Sequence, residues 1–173
     1  MKVKDVMAEN SLKFCSPETK LANATKMMKE SNRGALPVVD KNQKVIGIIT
    51  DRDICLSLAT KKGKTPENLS VKEILPQAKV HTIKSNDSIT DALREMRKYK
   101  IGRLPVTNKE GKLKGMISIN TLLSHALNEK EELGNTNSKD ENLAKTIKAL
   151  FDRNNDRETK KGKKITTLEL QEN

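Results

Sequence analysis

The hydrophobic and polar positions of this chain occur in two matching copies. Residues 3–59 align with residues 71–127 at a constant offset of 68 positions, without a gap. The segment GALPVVDKNQK at 34–44, for example, corresponds to GRLPVTNKEGK at 102–112. The shared positions are mostly Gly, Pro and apolar residues, the types that backbone geometry and core packing constrain most. The pattern therefore predicts an internal duplication.

Each copy is predicted to contain a helix followed by a β-hairpin. Apolar residues recur at helical spacing, at Leu21, Ala24, Met27 and Met28 in the first copy and at Ile89, Ala92, Leu93 and Met96 in the second. The runs LPVVD and VIGIIT, with LPVTN and KGMIS in the second copy, are short apolar segments separated by turn residues. Such a pair of segments is typical of a β-hairpin.

A short leading strand and a second helix complete each copy. The strands are predicted at residues 13–15 and 81–83. The second helices are predicted at 52–58 and 120–133, the latter ending at Gly134 as a C-cap. The result is an α+β fold in which a β-α-β-β-α unit occurs twice. A unit of under about 60 residues is marginally stable alone, so we expect the two copies to share one core.

Composition divides the chain into two domains, a linker and a tail. We predict a first domain at 1–60, a polar linker at 61–70, a second domain at 71–134 and a tail at 135–173. The tail holds one amphipathic segment, which predicts a helix over residues 139–152. Its apolar positions are Leu143, Ile147, Leu150 and Phe151. The rest of the tail has too few apolar residues for a folded unit, and we expect it to be disordered.

Charge is distributed unevenly along the chain. The net charge is +11, with 33% charged and 34% hydrophobic residues. The whole excess of positive charge lies in residues 1–127, because the remaining residues hold equal numbers of acidic and basic side chains. Such a surplus favours anionic partners, whether nucleotides, nucleic acid or acidic proteins. Aromatic residues make up only 2% of the chain, so it lacks the set of stacking platforms that RNA-recognition surfaces use.

Several function classes have no support in the sequence. No secretory signal or stretch of membrane-spanning length is visible, so we expect a cytoplasmic protein that does not enter a membrane. Cys15 and Cys55 are too few for a disulfide framework and lack metal-ligand spacing, and we expect reduced thiols and no metal site. His81 and His125 have no recognisable nucleophile motif beside them. We therefore predict that the chain is not an enzyme.

One motif after the first hairpin has two interpretations. Thr50 and Asp53 form a T-x-x-D sequence, which is a common capping box at the start of a helix. From these residues alone, the capping box is the simpler interpretation.

The paired units, with LPVVD followed by GIITDRD, resemble a cystathionine β-synthase (CBS) domain pair, or Bateman module, over about residues 1–127. The resemblance implies a module that senses adenosyl ligands in clefts built from both copies. It places Asp53 on the ribose hydroxyls and Thr50 near the ribose or phosphate. This is chemically sensible, because a carboxylate can accept hydrogen bonds from both hydroxyls and a helix N-terminus favours an anion. Arg52 would add a charged donor for the phosphate. The base slot would be lined by His81, Ile101 and Gly102.

The resemblance also implies a second, poorer cleft, because Thr121 stands where the first copy has Asp53. A hydroxyl cannot provide the charge-assisted pair of hydrogen bonds that a carboxylate offers. The other residues of this cleft would be Lys13, Arg33, Gly34, Arg103 and Ser118. This cationic lining could hold a phosphate without a ribose. For Lys13 and Arg33, a solvated surface charge is an equally good interpretation.

We predict a stand-alone, regulatory CBS-pair protein that binds AMP, ADP, ATP or S-adenosylmethionine, requires no cofactor and signals to a protein partner. The alternatives are a basic nucleic-acid-binding regulator and a structural dimerisation module with degenerate sites. We also expect a homodimer. The helix faces at Leu21/Met28 and Ile89/Met96 carry more apolar residues than a small core is expected to bury.

Overall fold

The computed structural model describes residues 1–7, 12–77, 79–123 and 125, which form two matching halves. The first half contains α1 (Leu21–Glu30), β1 (Ala35–Val39), β2 (Val45–Thr50) and α2 (Asp51–Thr60). The second contains β3 (Ile83–Lys84), α3 (Ile89–Tyr99), β4 (Arg103–Thr107) and β5 (Leu113–Ser118). Residues 119–123 begin a further helix, and a 3₁₀ turn precedes each half, at Val3–Asp5 and Val71–Glu73. The predicted duplication and α+β class are confirmed.

Several predicted elements differ in extent or lie outside the description. The helix predicted at 52–58 is longer, and the one predicted at 120–133 begins one residue earlier. The end of that helix, the tail at 135–173 and the predicted helix at 139–152 lie outside the described residues. Within the described part of the chain, no helix has the length and apolarity needed to cross a membrane.

The two hairpins have the same register. In the first, β1 and β2 are antiparallel with Leu36 opposite Ile49, and in the second, β4 and β5 place Leu104 opposite Ile117. Both hairpins contain an irregularity at the same point of the first strand. The leading strands differ, since β3 pairs in parallel with β4, whereas the strand predicted at 13–15 is reduced to a single Cys15–Val38 bridge.

Each half has its own apolar cluster under its hairpin. In the first, Leu21, Leu36 and Ile49 are fully buried among the side chains of α1 and the hairpin. In the second, Leu104 and Ile117 are buried with Ala92 and Met96 of α3. The structure thus has two core clusters rather than the one shared core that we expected.

The two halves exchange their leading 3₁₀ turns. Val3 begins the chain's first turn, yet it is fully buried in the core cluster of the second half. Its amide donates to the carbonyl of Asp87 at 2.9 Å, and the amide of Lys4 donates to the carbonyl of Ser85 at 2.9 Å. The opening residues therefore complete the half that lies later in the chain.

The second turn makes the reciprocal contact with the first half. Val71 is fully buried in the first core cluster and its amide donates to the carbonyl of Thr19 at 2.9 Å. Leu69, at the end of the predicted linker, is also fully buried there. The Ser70 amide and hydroxyl both donate to Glu73 Oε2 at 2.8 Å, and these hydrogen bonds lower the pKa of Glu73.

The hairpin turns of the two halves meet at a seam. The Val45 amide donates to the Gly111 carbonyl at 3.1 Å, and the Leu113 amide donates to the Gln43 carbonyl at 3.0 Å. Between these two hydrogen bonds, Lys44 and Lys112 face each other as an isolated antiparallel bridge. Side chains of such a non-hydrogen-bonded pair stand close together on the same face. The seam therefore places two exposed lysines side by side.

Candidate functional site

A cleft of about 470 Å³ opens where the two halves meet. This volume lies within the range of small-molecule pockets. Its lining comes from both copies. The first half contributes Gly47, Ile48, Thr50, Asp51 and Arg52, and the second contributes Leu75, Pro76, Lys79, Val80, His81, Ile101, Gly102, Arg103 and Pro105.

The structure brings five of the six residues predicted for the better site to this cleft. Thr50 and Arg52 line it from the end of β2 and the start of α2. His81 lines it from the segment before β3, and Ile101 and Gly102 from the segment before β4. Because β2 leads directly into α2, the backbone places a helix N-terminus at the wall of the cleft.

Asp53, the sixth predicted residue, makes the capping box instead of lining the cleft. Its Oδ2 accepts from the Thr50 amide at 2.8 Å and from Thr50 Oγ1 at 2.7 Å. Its own amide donates to Thr50 Oγ1 at 3.2 Å. The capping interpretation is therefore correct for these two residues. Oδ1 is the carboxylate oxygen that the cap does not use.

Asp51 is a cleft residue that the sequence interpretation missed. Its Oδ1 accepts from the Arg52 amide at 2.8 Å, and its Oδ2 lies against Gly34, where an added Cβ would stand only 2.7 Å away. Asp51 follows the strand directly and is the first residue of α2. This position in the sequence could have indicated that Asp51 lines the cleft, because a residue that joins a strand to a helix at a cleft wall faces the same space as the end of the strand.

The cationic side chains of the cleft are Arg52, Lys79 and Arg103. Arg103 was predicted for the second cleft, and the structure places it in the lining of this one. It follows Gly102 directly at the start of β4 and lines the same cleft as that glycine. Lys79 was not predicted, since it lies in a segment without a periodic pattern. The three cations stand against one carboxylate in the lining, that of Asp51.

An aromatic pair stands at the edge of the cleft. The rings of His81 and Tyr99 are stacked, with centroids 3.5 Å apart and planes 22° apart. Lys98 Nζ lies 5.0 Å from the centre of the Tyr99 ring, and a hydrogen bond to Tyr99 raises the pKa of Lys98. His81 lines the cleft while Tyr99 does not, so Tyr99 backs the imidazole from outside.

The residues predicted for a second cleft are only partly brought together. Ser118 Oγ and Thr121 Oγ1 are 2.9 Å apart, and the Thr121 amide donates to Ser118 Oγ at 3.2 Å, which repeats the helix cap of the first half. Gly34 lies beside Asp51, Arg33 is half-buried and Lys13 is exposed. Residues 8–11, which correspond to 76–79 of the first cleft's wall, lie outside the described residues.

No group of three or more His, Cys, Asp or Glu side chains that could hold a metal ion occurs in the described part of the chain. Cys15 is buried, and its Sγ donates to the Pro37 carbonyl at 3.7 Å. Burial raises the pKa of the Cys15 thiol to about 12. This side chain therefore acts as a small apolar residue of the core.

Comparison with known proteins identifies the same two copies. The family model for the CBS domain matches residues 3–60 and 71–128. An uncharacterized protein of Bacillus subtilis, YlbB, is 33% identical over 132 residues, which are 75% of this chain and 85% of that protein. The inosine-5'-monophosphate dehydrogenase of Aquifex aeolicus is 34% identical over 109 residues. The match covers 62% of this chain but only 21% of that enzyme.

Solved structures share the fold. The CBS domain pair of protein MJ0100, in complex with 5'-methylthioadenosine and S-adenosyl-L-methionine, has a TM-score of 0.63 and 25% identity. The aligned region covers 75% of this chain and 98% of the MJ0100 chain. CBSX2 of Arabidopsis thaliana, in complex with AMP, has a TM-score of 0.61 and 26% identity, again over 75% and 98% of the two chains.

Proposed function

This chain belongs to the CBS domain family, and from that premise we propose that it is a regulatory CBS pair that binds an adenosyl ligand in the cleft between its two copies. The ligand's presence is passed to a protein partner, and the chain itself catalyses no reaction. The catalytic activity of the inosine-5'-monophosphate dehydrogenase is not carried over, since the chain spans about a fifth of that enzyme.

The observation that carries the proposal is the composition of the cleft wall. A nucleotide needs an apolar slot for its base and donors for its phosphate. Ile48, Val80 and Ile101 supply apolar lining, and Arg52, at the positive end of the α2 dipole, supplies a charged donor. Apart from Gly102 and its two chain neighbours, no described residue has an atom within 4 Å of where a Cβ would stand on Gly102, so that backbone is open to a ligand.

The charge of the lining favours a ligand with phosphate groups. Arg52, Lys79 and Arg103 outnumber Asp51, and a cationic wall attracts anions and repels cations. S-Adenosylmethionine carries a sulfonium and an ammonium group, whereas AMP, ADP and ATP are anions. The related structures hold either AMP or 5'-methylthioadenosine with S-adenosyl-L-methionine. We propose that this chain prefers the phosphate-bearing members of the class.

Thermal shift with AMP, ADP, ATP, S-adenosylmethionine and GTP tests the proposal. A ligand at about 100 times its Kd should stabilise the fold by about 2.7 kcal/mol. We expect the adenine nucleotides to raise Tm most. Gly102→Val should fill the slot and abolish this shift while leaving the Tm of the free protein unchanged, because the position is open. A wild-type protein that no adenosyl ligand stabilises would refute the proposal.

A second experiment tests the role of charge. Arg103→Gln should weaken AMP binding and leave adenosine binding unchanged, because adenosine carries no phosphate. Arg94→Gln is the matched control. Arg94 forms an exposed ion pair with Asp91 on α3 and does not line the cleft. Equal losses for AMP and adenosine in the Arg103 variant would remove the phosphate assignment.

The second candidate function, binding of nucleic acid, is favoured by the seam. Lys44 and Lys112 are held side by side, with Lys41 and Lys109 in the adjoining turns. Like charges directly opposite each other on neighbouring strands are destabilising, and an anion between them relieves that repulsion. This contact would be to the phosphate backbone and independent of base sequence.

A further inference from the structure

The His81–Tyr99 pair gives the cleft a flat surface of a defined orientation. His81 is half-buried, and the stacked Tyr99 ring covers one of its two faces. Tyr99 itself is 36% exposed, so the hydrophobic core does not account for its position. Stacking on a neighbour restricts the imidazole to one plane, which an isolated half-exposed ring would not keep.

The backbone brings Tyr99 to this place through the end of α3. Lys100 adopts a left-handed conformation with φ 54° and ψ 43°. The chain then reverses, and Ile101, only two residues after Tyr99, reaches the cleft. The Ile101 amide donates to the Met96 carbonyl at 3.0 Å, which fixes the reversal. Tyr99 therefore stands on a rigid helix end directly behind the cleft wall.

The first half has the same backbone but lacks the aromatic pair. Asn32, the counterpart of Lys100, also has a positive φ, of 50°. The counterpart of Tyr99 is Ser31, whose hydroxyl donates to the Met27 carbonyl at 2.7 Å, and the counterpart of His81 is Lys13. The aromatic pair is thus a feature of one cleft, added to a backbone that both halves share.

We propose that Tyr99 is a positioning residue that holds the His81 ring as a stacking platform for the base of the ligand. The inference rests on the proposed function and deepens it. It restricts the ligand to molecules with an aromatic heterocycle, and it makes the cleft lined by His81 the base-binding one. His81 contacts the base directly, and Tyr99 acts through His81.

A double-mutant cycle on AMP affinity tests this inference. His81→Ala removes the platform and should weaken AMP binding about 5- to 100-fold. Tyr99→Leu removes the support and should weaken it about 2- to 10-fold. Tyr99→Phe keeps the stacked ring and should bind like the wild type. In the His81→Ala background, Tyr99→Leu should have no further effect, because its action requires the imidazole.

The wild-type protein offers an independent readout. Tyr99 is the only tyrosine of the chain, which has no tryptophan. Saturation with AMP should therefore change the tyrosine fluorescence, and His81→Ala should reduce this change at equal saturation. A purely structural role of Tyr99 would lower Tm in the Tyr99→Leu variant and would give additive effects of the two substitutions on AMP affinity. Measuring Tm for each variant identifies that case.

The outcomes separate this inference from the proposed function. Additive effects of Tyr99→Leu and His81→Ala, or wild-type affinity in Tyr99→Leu, would overturn the platform and leave the nucleotide site intact. Failure of the wild-type protein to bind AMP or any other adenosyl ligand would overturn the proposed function, and the platform with it.

Discussion

Asp53 caps α2, and we propose that the same side chain also binds the ligand. Its Oδ2 closes the cap on Thr50, and the cap fixes the direction of the remaining oxygen, Oδ1. A carboxylate held in this way loses little further freedom when a ribose hydroxyl binds. The capping and ligand interpretations of the T-x-x-D motif are therefore compatible.

The first prediction separates the two roles. Asp53→Ala should weaken nucleotide binding about 10- to 150-fold, because a hydrogen-bonded charged group is lost. Thr50→Val should have a smaller effect, since the carboxylate remains. Thr121→Ala is the matched control, because it removes the corresponding helix-cap contact, 2.9 Å from Ser118. Calorimetric titration should find its affinity unchanged. The opposite order of effects would assign the site to the other copy.

The second prediction concerns the two thiols. Burial raises the pKa of Cys15 to about 12, so its reactive thiolate is almost absent at pH 8. Cys55 is exposed on α2. Iodoacetamide at pH 8 should therefore alkylate one thiol per native chain, at Cys55, and both thiols in denaturant. Mass spectrometry of the digested protein locates the label. Fast alkylation of native Cys15 would contradict its burial.

At the scale of elements, the sequence predicts those helices and strands whose apolar residues recur with a regular spacing within one copy. The helix over Leu21–Glu30 and the hairpins follow from apolar spacing within each copy. The 3₁₀ turns do not, because three residues carry no period and their burial depends on contact with the other copy. The site residues also divide into those that the sequence predicts and those that it does not. Thr50 and Gly102 carry recognisable motifs, whereas Lys79 reaches the cleft only through the path of an irregular segment.

The third prediction tests the segment that leads into the second exchanged turn. Leu69→Ala should destabilise the protein by about 2–5 kcal/mol, because Leu69 is fully buried in the first core cluster although it lies between the copies. Lys72→Ala is the control. Its ion pair with Glu18 joins side chains that are 56% and 72% exposed, so the cost should be small. Urea unfolding measures both, and equal midpoints would show that the segment contributes nothing.

At the scale of the whole molecule, the charge and the apolar surface bear on association. The helix residues that suggested a homodimer, Leu21, Met28 and Met96, are buried in the chain's own core clusters, so that reasoning was wrong. The dimer remains a prediction and now rests on Leu56, which is 51% exposed on α2. We expect a second copy to pack against α2 at this side chain.

The fourth prediction is a dimer that depends on this helix. Light scattering should give about twice the 19.4 kDa of the chain at micromolar concentration. Leu56→Glu should give the mass of one chain, because the carboxylate would be buried in the interface. Ile46→Glu, at an apolar residue of β2 that is 39% exposed, should leave the dimer intact. A monomeric wild-type protein would exclude the dimer.

The fifth prediction compares the two candidate functions through salt. Duplex DNA bound by several lysines releases counterions, so its affinity should fall steeply between about 50 and 200 mM salt. AMP in the cleft makes fewer ionic contacts and should respond less. Lys44→Gln with Lys112→Gln should abolish any DNA binding and leave AMP affinity unchanged. DNA affinity insensitive to these changes would remove the seam as a contact.

The exchange of leading turns has a consequence for the ancestry of the molecule. A polypeptide with a single copy would have an open slot in its core and a turn of its own with no place to dock. Two such polypeptides could fill each other's slots, so a lone copy would be stable only as a pair of separate molecules. A tandem duplication of the gene would convert this contact between two molecules into a contact within a single chain. The two copies would then be free to differ, and in this chain only the first carries the aspartate, at Asp53, and only the second carries the tyrosine, at Tyr99.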